Sequence, residues 1–203
     1  MKPKLYIGVD PGFKGGISVV EEGKSPIVYN MPVIISMVKN KKKTKYDIDA
    51  IVDIFKAYGN RKATFTLERV SVRPGEGGCS AFNFGEGFGT LKGIAVALGY
   101  ELIIVSPVTW KKAFPKLESK EMTDIRSKIK ILESNNKIEK DNDKKKLNKK
   151  EIEKEQRSLK ALAKTQARLL AQEMYPDLSK RFDRKLDDGV AESLLIALYA
   201  RSV

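Results

Sequence analysis

Short apolar runs, each closed by a turn signal, dominate the first thirty residues and predict β-strands. The run Lys4–Asp10 ends at Pro11-Gly12, and Gly15–Val20 follows it directly. The polar segment Glu21–Lys24 then separates Gly15–Val20 from Pro26–Tyr29. Signals of this kind are typical of hairpins, so we predict a sheet that opens with antiparallel strands.

Helical and strand patterns alternate in much of the remaining chain. Apolar residues at helical spacing follow a potential cap at Asp47, and a helix cap is also expected at Asp188, before the last apolar stretch. The predicted elements are a helix over 48–58, a strand over 63–68, a helix over 84–98, a strand over 101–105 and a final helix from 188. Hairpins followed by alternating strands and helices predict a mixed-sheet α/β domain.

The segment from Lys116 to Arg168 differs in composition, with 17 Lys/Arg against 10 Asp/Glu and a local net charge of +7. Met122, Ile125, Ile129 and Leu132 have the spacing of one helix face. A turn near 135–143 and a second helix over about 147–174 complete the pattern. We predict one domain over 1–203 with a lysine-rich helical hairpin inserted at 118–158; the alternative is a solvated or disordered lysine-rich loop.

The whole chain is strongly basic, with 39 Lys/Arg, 26 Asp/Glu and a net charge of +13. Such a surplus suits a polyanion. No apolar run approaches the ~20 residues of a membrane span, and the N-terminus opens on a strand pattern instead of a targeting segment. We therefore expect a cytoplasmic protein that binds nucleic acid and not a membrane; a merely solubilising basic surface is the alternative.

The chain contains no histidine and one cysteine, Cys79. These counts exclude Ser-His-Asp and Cys-His triads, histidine-ligated zinc, and disulfide frameworks within one chain. Carboxylates, lysines and hydroxyls remain for catalysis. Hard oxygen ligands favour Mg²⁺, with Mn²⁺ able to substitute.

Acidic residues stand where a fold could bring them together. Asp10 ends the first strand, Glu68 ends a strand expected to pair parallel to it, and Asp188 and Glu192 share a face of the last helix, with Asp187 just before it. Such carboxylates can hold a pair of cations for phosphodiester hydrolysis. Taken singly, they could be a turn residue, a surface charge and a helix cap.

The order of these motifs resembles the RuvC-like Holliday junction resolvases, with the phage, poxvirus and chloroplast resolvases the most similar in pattern. The resemblance covers most of the chain outside about 118–158. The matching segments are Ile7–Gly12 with Gly16–Val20, Thr66–Glu68, Ser106–Lys112, Lys164–Pro176 and Asp187–Ala197.

The resemblance implies an RNase H-like fold, with a mixed five-stranded sheet flanked by helices, and a metal-dependent endonuclease that cuts four-way DNA junctions as a homodimer. It implies that Asp10, Glu68 and Glu192, together with Asp187 or Asp188, are catalytic metal ligands. Helical spacing favours Asp188, whereas the resemblance favours Asp187. The residues expected to contact DNA are Arg73, Phe82, Phe84, Lys111, Lys112, Arg184 and Lys185, while core packing is the alternative for the phenylalanines.

Three other functions fit parts of the pattern. An RNA–DNA hybrid nuclease or a transposase-type enzyme would share the same acids. An ATPase of the actin and sugar-kinase superfamily also begins with a strand, an Asp and a Gly, but it needs two such domains, for which this chain is too short. A non-catalytic DNA-binding module would not need acids at every expected position.

Overall fold

The computed structural model describes residues 4–59, 61–71 and 77–203. Seven strands and six α-helices lie in this part of the chain. The strands are β1 (Leu5–Asp10), β2 (Gly16–Glu21), β3 (Ile27–Asn30), β4 (Val33–Val38), β5 (Lys41–Tyr46), β6 (Ala63–Glu68) and β7 (Glu101–Val105). The helices are α1 (Ile48–Lys56), α2 (Gly78–Ala97), α3 (Pro107–Lys112), α4 (Lys120–Ile138), α5 (Asn142–Met174) and α6 (Asp188–Ser202).

Five strands form the main sheet, in the order β3-β2-β1-β6-β7. β2 is antiparallel to both β1 and β3, whereas β1, β6 and β7 run parallel. Separate clusters of buried apolar residues cover the two faces of the sheet, with α1 and α2 on one face and α5 and α6 on the other. The predicted fold class, a mixed five-stranded sheet flanked by helices, is confirmed.

The packing of α6 on β1 depends on a glycine in the strand. A Cβ atom on Gly8 would lie 2.2 Å from the carbonyl oxygen of Ser193 and 2.3 Å from the backbone nitrogen of Ala197. Only glycine therefore lets the helix backbone come this close to the strand. Because side chains alternate along a strand, Asp10 shares the face of Gly8 and points to the side of the sheet that α6 covers.

The predicted basic insertion folds as a helical hairpin in which α4 packs against α5. Ser119 caps α4 through a hydrogen bond from the backbone nitrogen of Met122 to its hydroxyl, at 3.2 Å. Met122 and Ile152 are buried, and ion pairs from Lys128 to Glu151 and Glu155 join the two helices at 3.1 and 2.7 Å. The apolar stripe of α4 thus has a partner within the chain.

Some boundaries differ from the sequence-based prediction, and one pair of strands was not predicted. α2 begins at Gly78 and α5 at Asn142, both earlier than expected. Asp188 is the first residue of α6 instead of its cap, and the capping position belongs to Asp187. β4 and β5 form a separate two-stranded sheet, hereafter the ribbon, in a segment to which the apolar pattern assigned no element.

Candidate active site

Three carboxylates line one cavity. Asp10 is the last residue of β1 and Glu68 the last residue of β6. Because Val9 pairs with Leu67 in the parallel ladder, Asp10 and Glu68 come side by side where the two strands end. Glu192 reaches the same cavity from the second turn of α6. The cavity has a volume of about 370 Å³ and is lined by Asp10, Pro11, Glu68, Arg69, Val70, Ser71, Phe84, Pro107, Lys164 and Glu192.

The three acids influence one another electrostatically. Burial raises the pKa of Asp10 well above its usual value, and the charges of Glu192 and Glu68 raise it further. Burial also raises the pKa of Glu68, against the lowering effect of a hydrogen bond from Trp110. Clustered carboxylates repel when all are ionised, so this cavity favours an added cation.

Two lysines supply positive charge beside the acids. Lys111 Nζ lies 2.7 Å from Glu192 Oε1, and its charge lowers the pKa of both Asp10 and Glu68. Lys164 lines the cavity from α5 and also lowers the pKa of Asp10. Together the lysines partly balance the acidic cluster.

A tryptophan fixes the orientation of Glu68. The indole nitrogen Nε1 of Trp110 donates a hydrogen bond to Glu68 Oε2 at 2.6 Å, and the Trp110 side chain is buried. Ser106 caps the short helix α3 by accepting a hydrogen bond from the backbone nitrogen of Thr109, and this helix carries both Trp110, which contacts Glu68, and Lys111, which contacts Glu192. The roles of Trp110 and Lys164 were not predicted, although both belong to segments that the resemblance covers.

Asp187 and Asp188 occupy different surroundings. Asp187 has only 2% of its side chain exposed and accepts hydrogen bonds from the Nε, NH2 and backbone nitrogen of Arg184. Burial acts to raise the pKa of Asp187, but the bonds from Arg184 outweigh it, and the pKa lies below its usual value. Its carboxylate is therefore engaged by its own loop.

Asp188 is connected to the acid cavity instead. Its Oδ2 lies 3.2 Å from Nζ of Lys164, and its Oδ1 lies 2.9 Å from Nε of Arg168. That Oδ1 is buried and accepts no hydrogen bond. Of the two neighbouring acids, Asp188 is thus the one that shares a partner with Asp10.

The donor set fits a hard divalent cation by its chemistry. Asp10, Glu68 and Glu192 offer carboxylate oxygens in a partly buried cavity, and the carboxylate of Asp188, paired with Lys164 and Arg168, is linked to that cavity through Lys164. In residues 4–59, 61–71 and 77–203, no group of three or more acidic or cysteine side chains is arranged to hold a metal ion as it stands. Lys111 Nζ pairs with Oε1 of Glu192, so this lysine would compete with a cation for that oxygen.

The residues expected to contact DNA differ in their surroundings. Phe84 lines it, Phe82 is 71% exposed on α2, and Lys112 and Lys185 are exposed. Arg184 is occupied by Asp187, as described above. Phe88, which follows on the same helix, packs against the core. Arg73 lies outside the described residues.

None of the helices in the described part of the chain combines the length and the apolar composition that a bilayer crossing requires.

Comparison with known proteins gives matches among solved structures alone. No family model matches the sequence, and no curated protein matches it. The chain is similar to a structure of T. thermophilus RuvC in complex with a Holliday junction substrate, with 12% identity over 98% of this chain and 96% of that chain and a TM-score of 0.46. It is also similar to a Thermus thermophilus RuvC structure, with 16% identity, the same coverage of both chains and a TM-score of 0.47. With identities and TM-scores this low, the function proposed below rests on the residues of this chain.

Proposed function

We propose that this chain is an RNase H-like, metal-dependent DNA endonuclease that resolves four-way junctions by hydrolysing one phosphodiester in each of two strands. The observation that carries the proposal is the convergence of Asp10, Glu68 and Glu192 on one open cavity in a chain of net charge +13. The motif order described under Sequence analysis supports a junction as the substrate.

Asp10, Glu68, Glu192 and Asp188 are the proposed ligands of Mg²⁺, with Mn²⁺ able to substitute. A divalent cation bound there supplies activation of water and stabilisation of the leaving oxygen. Trp110 holds Glu68 in a fixed orientation, as its 2.6 Å hydrogen bond shows. Burial and the neighbouring acids raise the pKa of Asp10, and only its carboxylate form could be a ligand, so metal binding would compete with protons and strengthen as pH rises.

The two lysines of the cavity have a role toward the substrate. When Lys111 leaves Glu192, its ammonium group is free to contact a phosphate. Lys164 lines the cavity and can balance a second phosphate charge. A homodimer with two such sites would cut two strands of like polarity, as a symmetric junction requires.

The test compares wild type with Asp10→Asn on a mobile four-way junction, an RNA–DNA hybrid and a plain duplex, each with and without Mg²⁺. We expect metal-dependent cutting of the junction alone. The cleavage rate of Asp10→Asn should fall by more than about 100-fold, which exceeds the usual effect of removing a group that merely orients a metal ligand. Junction binding should survive. Asp53→Asn, an exposed change on α1, is the matched control and should cut normally.

Two outcomes would overturn parts of this proposal. Cleavage by Asp10→Asn at the wild-type rate would show that the active site lies elsewhere, and preferred cutting of the hybrid would assign the chain to another RNase H-like activity.

A cruciform plasmid distinguishes paired from independent nicks, because linear product requires both strands to be cut in one encounter. Accumulation of nicked circles would contradict the dimeric mechanism.

A further inference from the structure

The ribbon formed by β4 and β5 stands apart from the main sheet. Its two strands are antiparallel and pair only with each other among the described residues, and Lys39 and Asn40 join them. These two residues have φ angles of 48° and 58°, which is the conformation of a tight two-residue hairpin turn. Most of the ribbon is exposed, including the large apolar side chains of Ile34, Ile35 and Met37.

One face of the ribbon is basic. Lys41, Lys43 and Lys45 alternate along β5 and therefore point to the same side. The pairing register places Val38, Ser36 and Ile34 opposite them on that side. No acidic residue occurs between Met31 and Tyr46. None of the ion pairs found among the described residues includes a lysine of the ribbon.

The root of the ribbon adjoins the acid cavity. Tyr46, the last residue of β5, packs against Phe13 with ring centroids 4.7 Å apart. Burial and the nearby charge of Asp10 raise the pKa of Tyr46 to about 12. Tyr46 and Phe13 also line a small cavity with Asn83 and Phe84, and Phe84 belongs to the acid cavity as well. The ribbon thus extends outward from the rim of the candidate active site.

We propose that the lysine face of the ribbon grips the phosphate backbone of a DNA duplex arm that leaves the active site. This inference rests on the proposed nuclease function, because the duplex is placed by the cavity beside Tyr46. Successive lysines on this face are about 6.6 Å apart along the strand, so three of them extend over several phosphates of one DNA strand. A two-stranded ribbon is also narrow enough to enter the major groove, which is about 12 Å wide.

DNA suits this surface better than the other two possible occupants. Lysines along an edge strand oppose its pairing with a second copy of the chain, because the like charges would meet. An anionic membrane would also attract lysines, but membrane binding would not explain why the root of the ribbon lies beside the acid cavity. Ile34 and Val38 lie among the lysines, where they can contact sugars or thymine methyl groups.

The test measures how affinity for plain duplex depends on salt, without divalent metal, in the variant Lys41→Gln/Lys43→Gln/Lys45→Gln. Each lost phosphate contact reduces the slope of log affinity against log salt by about 0.9, so we expect a reduction of up to about 2.7. The matched control is Lys4→Gln/Lys56→Gln/Lys62→Gln, which removes the same charge at the opposite end of the parallel strands. The control should keep nearly the wild-type slope.

A labelled variant reports contact directly. Ser36 is exposed and faces the same side as Lys43. A fluorophore on Ser36→Cys, in a Cys79→Ser background, should change its emission when duplex is added. The same label on Lys62→Cys should not respond.

Each outcome bears on the proposal separately from the nuclease function. Equal slopes in the two triple variants, or an unresponsive label at Ser36, would overturn the ribbon inference even if the wild type cuts junctions. A reduced slope in a protein that cuts no DNA would support the ribbon and reject the nuclease function. Dissociation of a wild-type dimer in the ribbon variant, with an unchanged slope, would identify a second copy as the occupant and overturn the inference.

Discussion

Lys111 places its ammonium group against one of the three acids of the candidate site. Its Nζ lies 2.7 Å from Glu192 Oε1 and 4.9 Å from the ring centroid of Trp110. About a third of its side chain is exposed, at 37%. An ammonium group in this position partly balances the carboxylates, and we expect it to compete with a divalent ion for Glu192.

Lys111→Gln should therefore bind Mg²⁺ more tightly and DNA more weakly. Removing a competing, partly screened cation should raise metal affinity by up to about tenfold, which corresponds to about 1.4 kcal/mol. Loss of one phosphate contact should reduce the salt slope by about 0.9. A Mg²⁺ titration followed by thermal unfolding measures the first effect. Lys112→Gln, on the exposed neighbour, is the control, and equal Mg²⁺ midpoints in both variants would refute the competition.

Asp187 and Asp188 should respond differently to loss of charge. Asp188→Asn should abolish metal-dependent cleavage, because Asp188 shares Lys164 with the cavity. Asp187→Asn should leave cleavage nearly intact but lower the free energy of unfolding by about 1–3 kcal/mol, since charge-assisted bonds from Arg184 are lost. Cleavage rates and denaturant unfolding of both variants decide the matter. If Mg²⁺-dependent cleavage were lost in Asp187→Asn but kept in Asp188→Asn, Asp187 and not Asp188 would be the metal ligand.

The sequence predicted the strands that carry the acids better than it predicted the surface elements. Asp10 and Glu68 meet because buried apolar strands with clear turn signals end at these residues, a pattern that local sequence shows directly. The early start of α2 at Gly78 was not predicted, because each glycine disfavours a helix by up to about 1 kcal/mol. The ribbon was also not predicted, since its apolar and lysine residues lack the alternation of a half-buried strand.

The glycines of α2 have distinct structural roles, which the sequence alone does not separate. A Cβ atom on Gly87 would lie 2.3 Å from the ring of Tyr46, whereas one on Gly89 would meet nothing within 4 Å. The absence of a side chain at Gly87 therefore lets Tyr46, at the root of the ribbon, pack directly against the helix. No close contact requires glycine at position 89, where it only adds flexibility to the unfolded chain.

Alanine at these two positions should have opposite effects on stability. Gly87→Ala should lower the free energy of unfolding by about 1–3 kcal/mol through overpacking, and it should reduce the salt slope of DNA binding by displacing the ribbon. Gly89→Ala should raise the free energy of unfolding by up to about 1 kcal/mol, because alanine favours the helix. Thermal unfolding and salt titration measure both. Similar stabilities for the two variants would contradict the Tyr46 contact.

An ion pair connects β2 to the loop before β6 on the side of the sheet away from the acids. Arg61 donates from NH1 and NH2 to the two carboxylate oxygens of Glu21, at 2.9 and 2.8 Å. These bonds, the largest effect, lower the pKa of Glu21 to about 2 from a usual value of 4.5. The pair therefore stabilises the fold above pH 4.5, and this contribution is lost as pH falls toward 2.

Glu21→Gln should accordingly be less stable than wild type at neutral pH and equally stable near pH 2. The difference between the two proteins should shrink between about pH 4.5 and pH 2, because the unfolded state takes up the proton first. Thermal unfolding across this range measures the difference. Glu22→Gln, on the exposed neighbour, should follow the wild-type curve. A difference that persists at pH 2 would assign the stabilisation to packing.

Positive charge is concentrated in three parts of the molecule. The ribbon brings lysines without acids, Lys111 lies beside Glu192, and residues 116–168, which include Lys164 at the cavity, have a net charge of +7. Interactions with phosphates add over such sites and set the salt dependence of binding. A substrate with several duplex arms would engage more of these parts at once than a single duplex.

The hairpin offers a choice between gripping DNA and building a dimer. Its stripe of Ile125, Ile129 and Leu132 is half-buried in a hairpin whose helices pack on each other. The stripe therefore needs no second chain to cover it, and the basic surfaces of two hairpins would repel each other. Both points favour a hairpin that grips DNA over one that builds a dimer.

Replacing residues 127–154 by a short Gly-Ser turn tests this choice. The replacement keeps buried Met122, and it also keeps Lys164 and Arg168 of α5, which pair with Asp188. We expect weaker junction binding and a smaller salt slope, because fewer phosphates are contacted, with the oligomeric state of wild type retained. Sedimentation and a salt titration of the shortened protein measure the two properties together. A monomeric protein with an unchanged slope would instead make the hairpin a dimer contact, and cutting of the two junction strands would then lose its coordination.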